Sequence, residues 1–332
     1  MESRQDMPSG ERDAPLSGSG RMSPDKKPNI GHSVFNRLLN HARAGKEDFN
    51  LLLFRYGIER LLYRLSISSY ADKFILKGAS LFLVWKGQHY RVTKDADLLG
   101  LGPANTEHIT GIFKELCETV PNESDGIKFM PDTVRALPIR EAQAYDGIRV
   151  TVMGILHQAR IPLQIDIGFG DAVTPEPERI KFPTLLDAPP PQLLAYPRYT
   201  MVAEKFEAMV RLGFANSRMK DFYDVWLMSR LFEFNRRTLC DAILNTFKRR
   251  STPLPFGLPM SFTDEFRKDA QKQIQWRAFV RKSKPEVVPD DLDTVIDHVA
   301  AFLMPVLEAV RIGEPVRFYW LHGGPWTQIA KD

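Results

Sequence analysis

The sequence predicts an α/β protein in which a small mixed sheet is flanked by N-terminal helices and followed by a mainly helical C-terminal lobe. Apolar residues recur at helical spacing near the start of the chain, segments in its middle alternate apolar and polar residues as strands do, and helical spacing returns after a proline-rich passage. We therefore predict a disordered N-terminal tail over residues 1–30, an α/β lobe over 31–190 and a mainly helical lobe over 191–332.

The bulk composition restricts the class of protein. The chain has 332 residues, of which 43% are hydrophobic and 26% charged, as in a typical globular protein. Cys117 and Cys240 are far apart and form no metal-binding pair, which favours a reducing compartment. No segment reaches the roughly 18 consecutive apolar residues of a membrane span, and the N-terminus lacks a signal-peptide pattern. We predict a cytoplasmic protein without membrane contact, whose net charge of +4 permits an anionic partner such as RNA.

The N-terminal half predicts helices first and then a strand, a turn and a helix. The tail is rich in Ser, Gly, Pro and charge, so it cannot bury enough apolar surface to offset the entropy of ordering. Residues 33–70 have helical periodicity, with Gly45 between two helices. The segment "KFILKGASLFLVW" then predicts a strand, a Gly turn and a helix, and residues 105–119 predict a further helix.

Alternation predicts three strands, and a passage rich in proline ends the first lobe. The strands are residues 90–101, "GIRVTVMGIL" and "IPLQIDIGFGD". In the first strand, "YRVTKDADLLG" would place Arg91, Thr93, Asp95 and Asp97 on one face. The passage from 175 to 197 is expected to lack regular structure and to mark the domain boundary, with helices beyond it to about residue 310.

Three strand carboxylates form a candidate metal site. Asp95, Asp97 and Asp166 all point away from the aliphatic face of their strands, and they would converge if the strands are neighbours. Like charges side by side cost energy unless a cation or a proton lies between them. Hard oxygen ligands suit Mg²⁺ or Mn²⁺, which can clamp the attacking and leaving oxygens of a phosphoryl transfer. A solvated edge strand is the alternative interpretation of Asp95 and Asp97 taken alone.

The turn "KGAS", residues 77–80, is a candidate phosphate site. Gly78 lets backbone N–H groups approach a phosphate, and Ser80 adds a hydroxyl at a helix N-terminus. The order strand, Gly turn, helix and strand with D-x-D is the order that a polymerase-beta-type nucleotidyltransferase core requires. In such a core the turn holds the triphosphate and the carboxylates hold its metals.

A second charged cluster lies in the helical lobe. Lys205 in "AEKFEAM" is a candidate phosphate ligand, because it carries a compact charge on a flexible stem. Asp221 and Asp224 are i, i+3 neighbours that repel each other unless a cation intervenes. Charged helix faces are usually solvated, so spacing alone favours a structural interpretation of this cluster.

Several of these segments resemble one family. "SVFNRLLNHARAGKEDFNLLLFRYGIERLLYRLSISSYADKFILKGASLFLVW", "YRVTKDADLLG", "EKFEAMVRLGFANSRMKDFYDVW" and "FTDEFRKDAQKQIQWRAF" resemble the AbiEii-type nucleotidyltransferases, and they are also similar to the MenT toxins. The resemblance covers roughly residues 33–279 and is most specific in "RxTxDxD" and "RxKDxxD". It implies that Ser80 contacts phosphate, that Asp95 and Asp97 bind the metals, and that Lys205 binds the nucleotide. Asp221 and Asp224 would form the final acidic motif.

The resemblance also implies an activity and partners. The chain would be the toxin of an abortive-infection or toxin–antitoxin pair, with a cognate antitoxin, and would use Mg²⁺ or Mn²⁺ to transfer NMP from an NTP to RNA. The resemblance points to the 3′ end of tRNA as the acceptor. Asp166 or one of Asp221 and Asp224 would act as base, and Arg91 would help to neutralise charge.

Two alternative functions remain at this stage. One is nucleotide transfer onto a protein, and the other is a non-catalytic module that holds RNA or a partner on the helical lobe. The basic segments "FKRRS" (247–251) and "FVRKSK" (279–284) are candidates for an RNA-facing surface, with a solvated face as the equal alternative.

Overall fold

The computed structural model of the chain describes residues 29–93, 95–139, 147–313 and 318–328. The predicted tail lies outside these residues, except for its last two, which open the first helix. The helices described are α1 (Ile30–Gly45), α2 (Phe49–Ser66), α3 (Leu81–Lys86), α4 (Thr106–Glu118), α5 (Arg198–Leu212), α6 (Met219–Leu231), α7 (Arg236–Arg249), α8 (Asp264–Lys268), α9 (Ala270–Ser283) and α10 (Leu292–Ile312). The strands described are β1 (Phe74–Lys77), β2 (Ala96–Gly100), β3 (Ile127–Ile139), β4 (Gly147–Leu156), β5 (Ala159–Phe169), β6 (Glu178–Lys181), β7 (Gln192–Ala195), β8 (Phe234–Asn235), β9 (Phe318–Trp320) and β10 (Trp326–Gln328).

A seven-stranded mixed sheet, in the order β3-β4-β5-β2-β1-β7-β6, forms the centre of the N-terminal lobe. The pairs β2–β5 and β1–β7 are parallel, and the other pairs are antiparallel. Apolar residues of α1, α2 and α4 pack on one face of this sheet and form the first hydrophobic core. The polar residues of β2 and β5 therefore lie on the other face, where α5 and α6 of the second lobe approach.

The second lobe has its own core, built from α5, α6, α7, α9 and α10, beside a small sheet of β8, β9 and β10. Phe82 and Tyr90 come from the first lobe and pack into this second core. The two lobes are thus joined by apolar packing directly beside the D-x-D segment. No helix within the described ranges is both long and apolar enough to cross a membrane.

The structure confirms the predicted α/β class, the two N-terminal helices, the strand–turn–helix unit and helix α4. It confirms strands β4 and β5, but the strand predicted from residue 90 is wrong because β2 begins only at Ala96. The backbone before β2 pairs with the C-terminal lobe instead. Val92 N–H donates to Ser283 O at 2.9 Å, and Glu286 N–H donates to Tyr90 O at 3.0 Å.

The expectation of irregular structure from 175 to 197 is also wrong, because β6 and β7 lie in that passage. Strand β7 pairs in parallel with β1, and Leu76 lies opposite Ala195. The sequence around β7 gives no sign of this distant partner. Strand β3 was not predicted, since Pro131 and Pro138 interrupt its pattern and a register shift separates Met130 from Arg135. The domain boundaries stay a prediction, although β7 joins the sheet from beyond residue 190.

Candidate active site

Strand register brings the three predicted metal carboxylates together. Parallel pairing of β2 with β5 sets Asp97 opposite Asp166, and Asp95 precedes Asp97 by two residues on the same side. One carboxylate oxygen from each residue lies within 4.8 Å of the others. Oxygen ligands at this spacing fit a hard divalent cation such as Mg²⁺ or Mn²⁺.

Crowding in this triad changes the acidity of its central member. Burial and the neighbouring Asp95 carboxylate raise the pKa of Asp97 to about 6, against the opposing charges of Lys220 and Lys77 and with a further contribution from Asp166. A raised carboxyl pKa means that the ionised form is disfavoured at neutral pH unless a cation is close. The site therefore favours the binding of positive charge.

Two side chains hold the outer members of the triad in place. Thr93 Oγ1 donates to Asp95 Oδ1 at 2.6 Å. Arg149 on β4 donates both Nε and Nη2 to the Asp166 oxygens, at 2.8 and 2.7 Å. A bidentate guanidinium orients a carboxylate firmly, and it leaves a lone pair on each oxygen for another partner. Arg149 was not predicted as a site residue. It lies between Ile148 and Val150 in an alternating strand pattern, where it is an ordinary outward-facing polar residue.

The predicted Gly turn lies against the same carboxylates. Gly78 has a φ of +78°, and a Cβ at this position would lie 2.1 Å from Asp97 Oδ2. Only glycine therefore allows the turn and the carboxylate to approach so closely. Gly78 and Ala79 line the site cavity, whereas the Ser80 hydroxyl donates to Lys77 O at 3.3 Å and Ser80 lines a neighbouring cavity. The structure thus places the turn at the site, with the Ser80 side chain directed elsewhere.

The acidic pair of α6 holds Lys205 instead of joining the metal triad. Lys205 Nζ lies 2.7 Å from Asp221 Oδ1 and 2.9 Å from Asp224 Oδ2. Arg91 binds Asp224 through Nε and Nη2 at 2.8 and 2.9 Å, and Arg218 Nε binds Asp221 Oδ2 at 2.7 Å. Both carboxylates are completely buried, while 13% of the Lys205 side chain remains exposed. Lys205 lines the cavity together with Arg91 and Arg218, and its ammonium is held between the two carboxylates.

The charge states of this cluster follow from its pairing. Burial opposes ionisation, but Lys205 and Arg218 hold the pKa of Asp221 far below its usual range, and Arg91 and Lys205 lower the pKa of Asp224. Burial likewise opposes the charge of Lys205, yet the two carboxylates raise its pKa above the ordinary lysine value. Carboxylates so strongly paired are poor proton acceptors. The role of base that the sequence left open to Asp221 or Asp224 does not fit this geometry.

Local packing explains why α5 presents Lys205 to the cavity. Val202, Phe206 and Met209 recur at helical spacing and are fully buried in the second core. Lys205 and Glu204 then lie beside this apolar stripe, facing the sheet and α6. The helix begins directly after Pro197, a residue well suited to a helix start.

A second buried charge cluster adjoins the cavity, and the sequence analysis missed it. Lys77 Nζ lies 3.0 Å from Asp171 and 3.3 Å from Glu204, Arg250 lies 2.9 Å from Asp171, and the Tyr196 hydroxyl donates to Glu204 at 2.9 Å. These contacts tie β1, the segment after β5, and α7 to α5. The Gly turn and Lys205 are thereby held at a fixed separation. Position in the sequence could have indicated this cluster, because Lys77 directly precedes the Gly turn and Glu204 directly precedes Lys205.

The cavity between the two lobes therefore combines two kinds of group. It has a volume of about 240 Å³ and is lined by the three metal-type carboxylates on the sheet side. The other walls carry basic side chains, namely Lys77, Arg91, Arg149, Lys205, Arg211, Arg218, Lys220 and Arg250. Such a lining suits a polyphosphate bound together with a divalent cation.

Comparison with known proteins identifies a family. The family model described as nucleotidyl transferase AbiEii toxin, type IV toxin–antitoxin system, matches residues 60–298. The solved structure of JHP933 from Helicobacter pylori is 13% identical and aligns over 83% of this chain and 94% of that chain, with a TM-score of 0.44. A second Helicobacter pylori protein, described as a candidate nucleotidyltransferase, is 12% identical over 84% of this chain and 98% of that chain, with a TM-score of 0.43. No curated protein sequence matches the chain.

Neutralising Asp97 is expected to stabilise the metal-free protein. Because the pKa of Asp97 is about 6 in the folded protein and 3.8 in the unfolded chain, ionisation of this carboxyl opposes folding. The free-energy cost of ionisation is absent below about pH 4, grows between pH 4 and pH 6, and is complete above pH 6. In EDTA at pH 7.5, Asp97→Asn should raise the free energy of unfolding by about 1 kcal/mol, after allowance for solvent screening of a half-buried group. The gain should vanish near pH 4 in urea unfolding. Asp132→Asn, on the exposed surface, is the matched control, and a loss of stability in Asp97→Asn at pH 7.5 would contradict the proposed crowding.

Lys205 is expected to serve stability and activity in separable ways. Lys205→Met leaves buried carboxylates without their shared cation and should lower the free energy of unfolding by about 3 kcal/mol, with loss of transferase activity. Asp221→Asn added to Lys205→Met should restore part of that stability, because it removes one of the uncompensated charges. Activity should stay lost in the double variant, as measured by urea unfolding and nucleotide turnover on the same preparations. Recovery of turnover along with stability would show that Lys205 acts only as a structural counter-ion.

Proposed function

Because this chain belongs to the AbiEii family of nucleotidyltransferase toxins of type IV toxin–antitoxin systems, we propose that it transfers a nucleoside monophosphate from an NTP to RNA, with the 3′ end of tRNA as the acceptor and Mg²⁺ or Mn²⁺ as the metal. The family accounts for the transferase activity, the nucleotide substrate and the existence of an antitoxin partner. The RNA acceptor, the metal and the role of each residue are our proposals.

One observation carries the proposal. Three carboxylates whose oxygens lie within 4.8 Å of one another face Lys205 across a cavity with basic walls. A carboxylate triad without a compensating cation is electrostatically unfavourable, and a lysine pre-positioned by two buried aspartates is a ready partner for phosphate. Together they match the two ends of a metal–triphosphate substrate.

Asp95, Asp97 and Asp166 would hold the metal, which when bound supplies neutralisation of phosphate charge and alignment of the reacting oxygens. Lys205 binds a phosphate of the NTP, since its ammonium is exposed to the cavity while Asp221 and Asp224 keep it protonated. Arg91 acts through Asp224 as an orienting residue, because its Nε and Nη2 both donate to that carboxylate. The backbone of Gly78 and Ala79 lies close enough to the triad to approach the same phosphates.

The transfer itself requires a proton acceptor for the RNA hydroxyl. The hydroxyl oxygen forms a bond to the α-phosphorus while the bond from that phosphorus to the pyrophosphate oxygen breaks, and pyrophosphate leaves. We assign the proton to Asp166, because Asp221 and Asp224 are completely buried and each binds two cations, whereas Asp166, oriented by Arg149, keeps 18% of its side chain exposed.

The direct experiment incubates purified protein with bulk tRNA, Mg²⁺ and each α-labelled NTP separately. Label is expected on tRNA for the wild type, with a loss of at least about 100-fold in Asp95→Asn/Asp97→Asn, because removal of two metal ligands removes most transition-state charge stabilisation. Asp132→Asn serves as the control for a carboxylate change outside the site.

Each other outcome selects a different function. Label on a polypeptide would move the acceptor from RNA to protein. Absence of label, with salt-dependent RNA binding that is equal in the wild type and in Asp95→Asn/Asp97→Asn, would contradict the transferase and leave a binding module.

A further inference from the structure

An exposed aromatic and basic surface lies on the helical lobe beside the cavity. Phe256 is 88% exposed, and the neighbouring apolar residues Phe214, Leu258 and Met260 are also exposed. Single exposed apolar residues are common, whereas a group of them on one surface indicates a contact site. We call this the Phe256 surface, and it consists of Arg211, Phe214, Lys248, Arg249, Phe256 and Arg311.

The loop that carries Phe256 is held in place. In "TPLPFGLPM", residues 252–260, three prolines restrict the backbone. Thr252 Oγ1 donates to the buried Glu207 at 2.6 Å, and Arg311 Nη1 donates to Phe256 O at 2.5 Å with its guanidinium carbon 5.6 Å from the Phe256 ring. A rigid exposed aromatic ring can bind a flat partner at low entropic cost.

Basic residues lie at the ends of three helices that adjoin the loop of Phe256. Arg211 ends α5, Lys248 and Arg249 end α7, and Arg311 ends α10. Each cation suits a helix C-terminus by itself. Arg311 lies against the Phe256 ring, and Arg211 binds Glu207, the residue that accepts from Thr252 at the start of the loop. Lys248 has no ion pair within the part of the chain that the structure describes. Cations around an exposed aromatic are the composition that binds single-stranded nucleic acid.

The surface is continuous with the candidate active site. Arg249 donates to the carbonyl of Gly170, and the next residue, Arg250, binds Asp171 at 2.9 Å. Gly170 and Asp171 directly follow β5, the strand that carries Asp166. Arg211 also lines the cavity of the carboxylate triad. A single-stranded nucleic acid that crosses the Phe256 surface would therefore reach the cavity from the side of α5 and α7.

We propose that the Phe256 surface binds the unpaired segment of the acceptor RNA next to its reactive 3′ end, with a base stacked on Phe256 and phosphates against Lys248, Arg249 and Arg311. This inference rests on the proposed function, since it presumes an RNA acceptor. Positive charge on four of the six surface residues distinguishes this occupant from an apolar protein partner. Stacking on phenylalanine accepts any base, so the surface contributes affinity with little sequence selectivity.

The test compares variants of Phe256 in the full-length protein by two readouts. Fluorescence anisotropy measures the Kd for a labelled single-stranded RNA of about twelve nucleotides, and nucleotide transfer measures the KM for tRNA. Phe256→Ala and Phe256→Leu should each weaken both by about 10-fold, since they remove the ring on which a base stacks, while Phe256→Tyr should retain them. Thermal stabilisation by NTP should be unchanged, and Val120→Ala, at an equally exposed apolar site on the other lobe, is the control.

The cations are tested by salt dependence. Lys248→Gln should lower the slope of log Kd against log salt by about 1, because one phosphate contact is lost. Lys114→Gln, on the exposed face of α4, should leave the slope unchanged.

The outcomes separate this inference from the proposed function. If the wild type labels RNA but Phe256→Ala and Phe256→Leu bind and react like the wild type, the surface assignment is overturned and the transferase stands. If the wild type binds RNA in a Phe256-dependent manner without labelling it, the surface stands and the RNA transferase falls. If the wild type neither binds nor labels RNA, both fall. Self-association in sedimentation that Phe256→Ala abolishes, with no change in RNA affinity, would reassign the surface to contacts between copies of this chain.

Discussion

Charge compensation among five aspartates organises the cleft between the two lobes. Asp221 and Asp224 are completely buried, and Lys205, Arg218 and Arg91 satisfy them with short ion pairs. Asp95, Asp97 and Asp166 lie within a few ångströms of one another with less compensation, and burial together with the neighbouring Asp95 carboxylate raises the pKa of Asp97 to about 6. The difference assigns the two sets of carboxylates to different tasks. One set fixes cations in place, and the other is left to attract a cation.

The rest of the fold maintains that division. Parallel pairing of β2 and β5 sets Asp97 beside Asp166, and the Gly78 turn of β1 packs on Asp97 so closely that no Cβ fits. The Lys77–Asp171–Glu204–Arg250 cluster ties the sheet to α5 and α7, and so fixes Lys205 relative to the turn. Hydrogen bonds between Tyr90–Val92 and Ser283–Glu286 attach the segment before β2 to the end of α9. Displacement of either lobe would therefore separate the lysine from the carboxylates.

Local pattern predicted the parts of the structure that depend on local interactions. Alternation identified β4 and β5, and hence the direction of Asp166, while the order of turn and D-x-D predicted where the carboxylates would meet. The assignment of Lys205, Asp221 and Asp224 to the site came from family resemblance, because spacing alone favours a solvated helix face, and their ion pairs with one another were not predicted. Strand β7 and the late start of β2 at Ala96 depend on partners more than a hundred residues away in sequence. A local pattern does not contain such partners. The Lys77 cluster was missed for the same reason, since its members come from four separate segments.

The most direct test of the charge assignment is anomalous diffraction from crystals of the protein soaked in Mn²⁺. We expect a manganese peak bound by oxygens of Asp95, Asp97 and Asp166, with Asp221 and Asp224 still paired to Lys205. A peak at Asp221 and Asp224 with Lys205 displaced would contradict the charge assignment, because the acidic pair of α6 would then be the metal site. Full metal loading with no density near the β2–β5 carboxylates would contradict it equally.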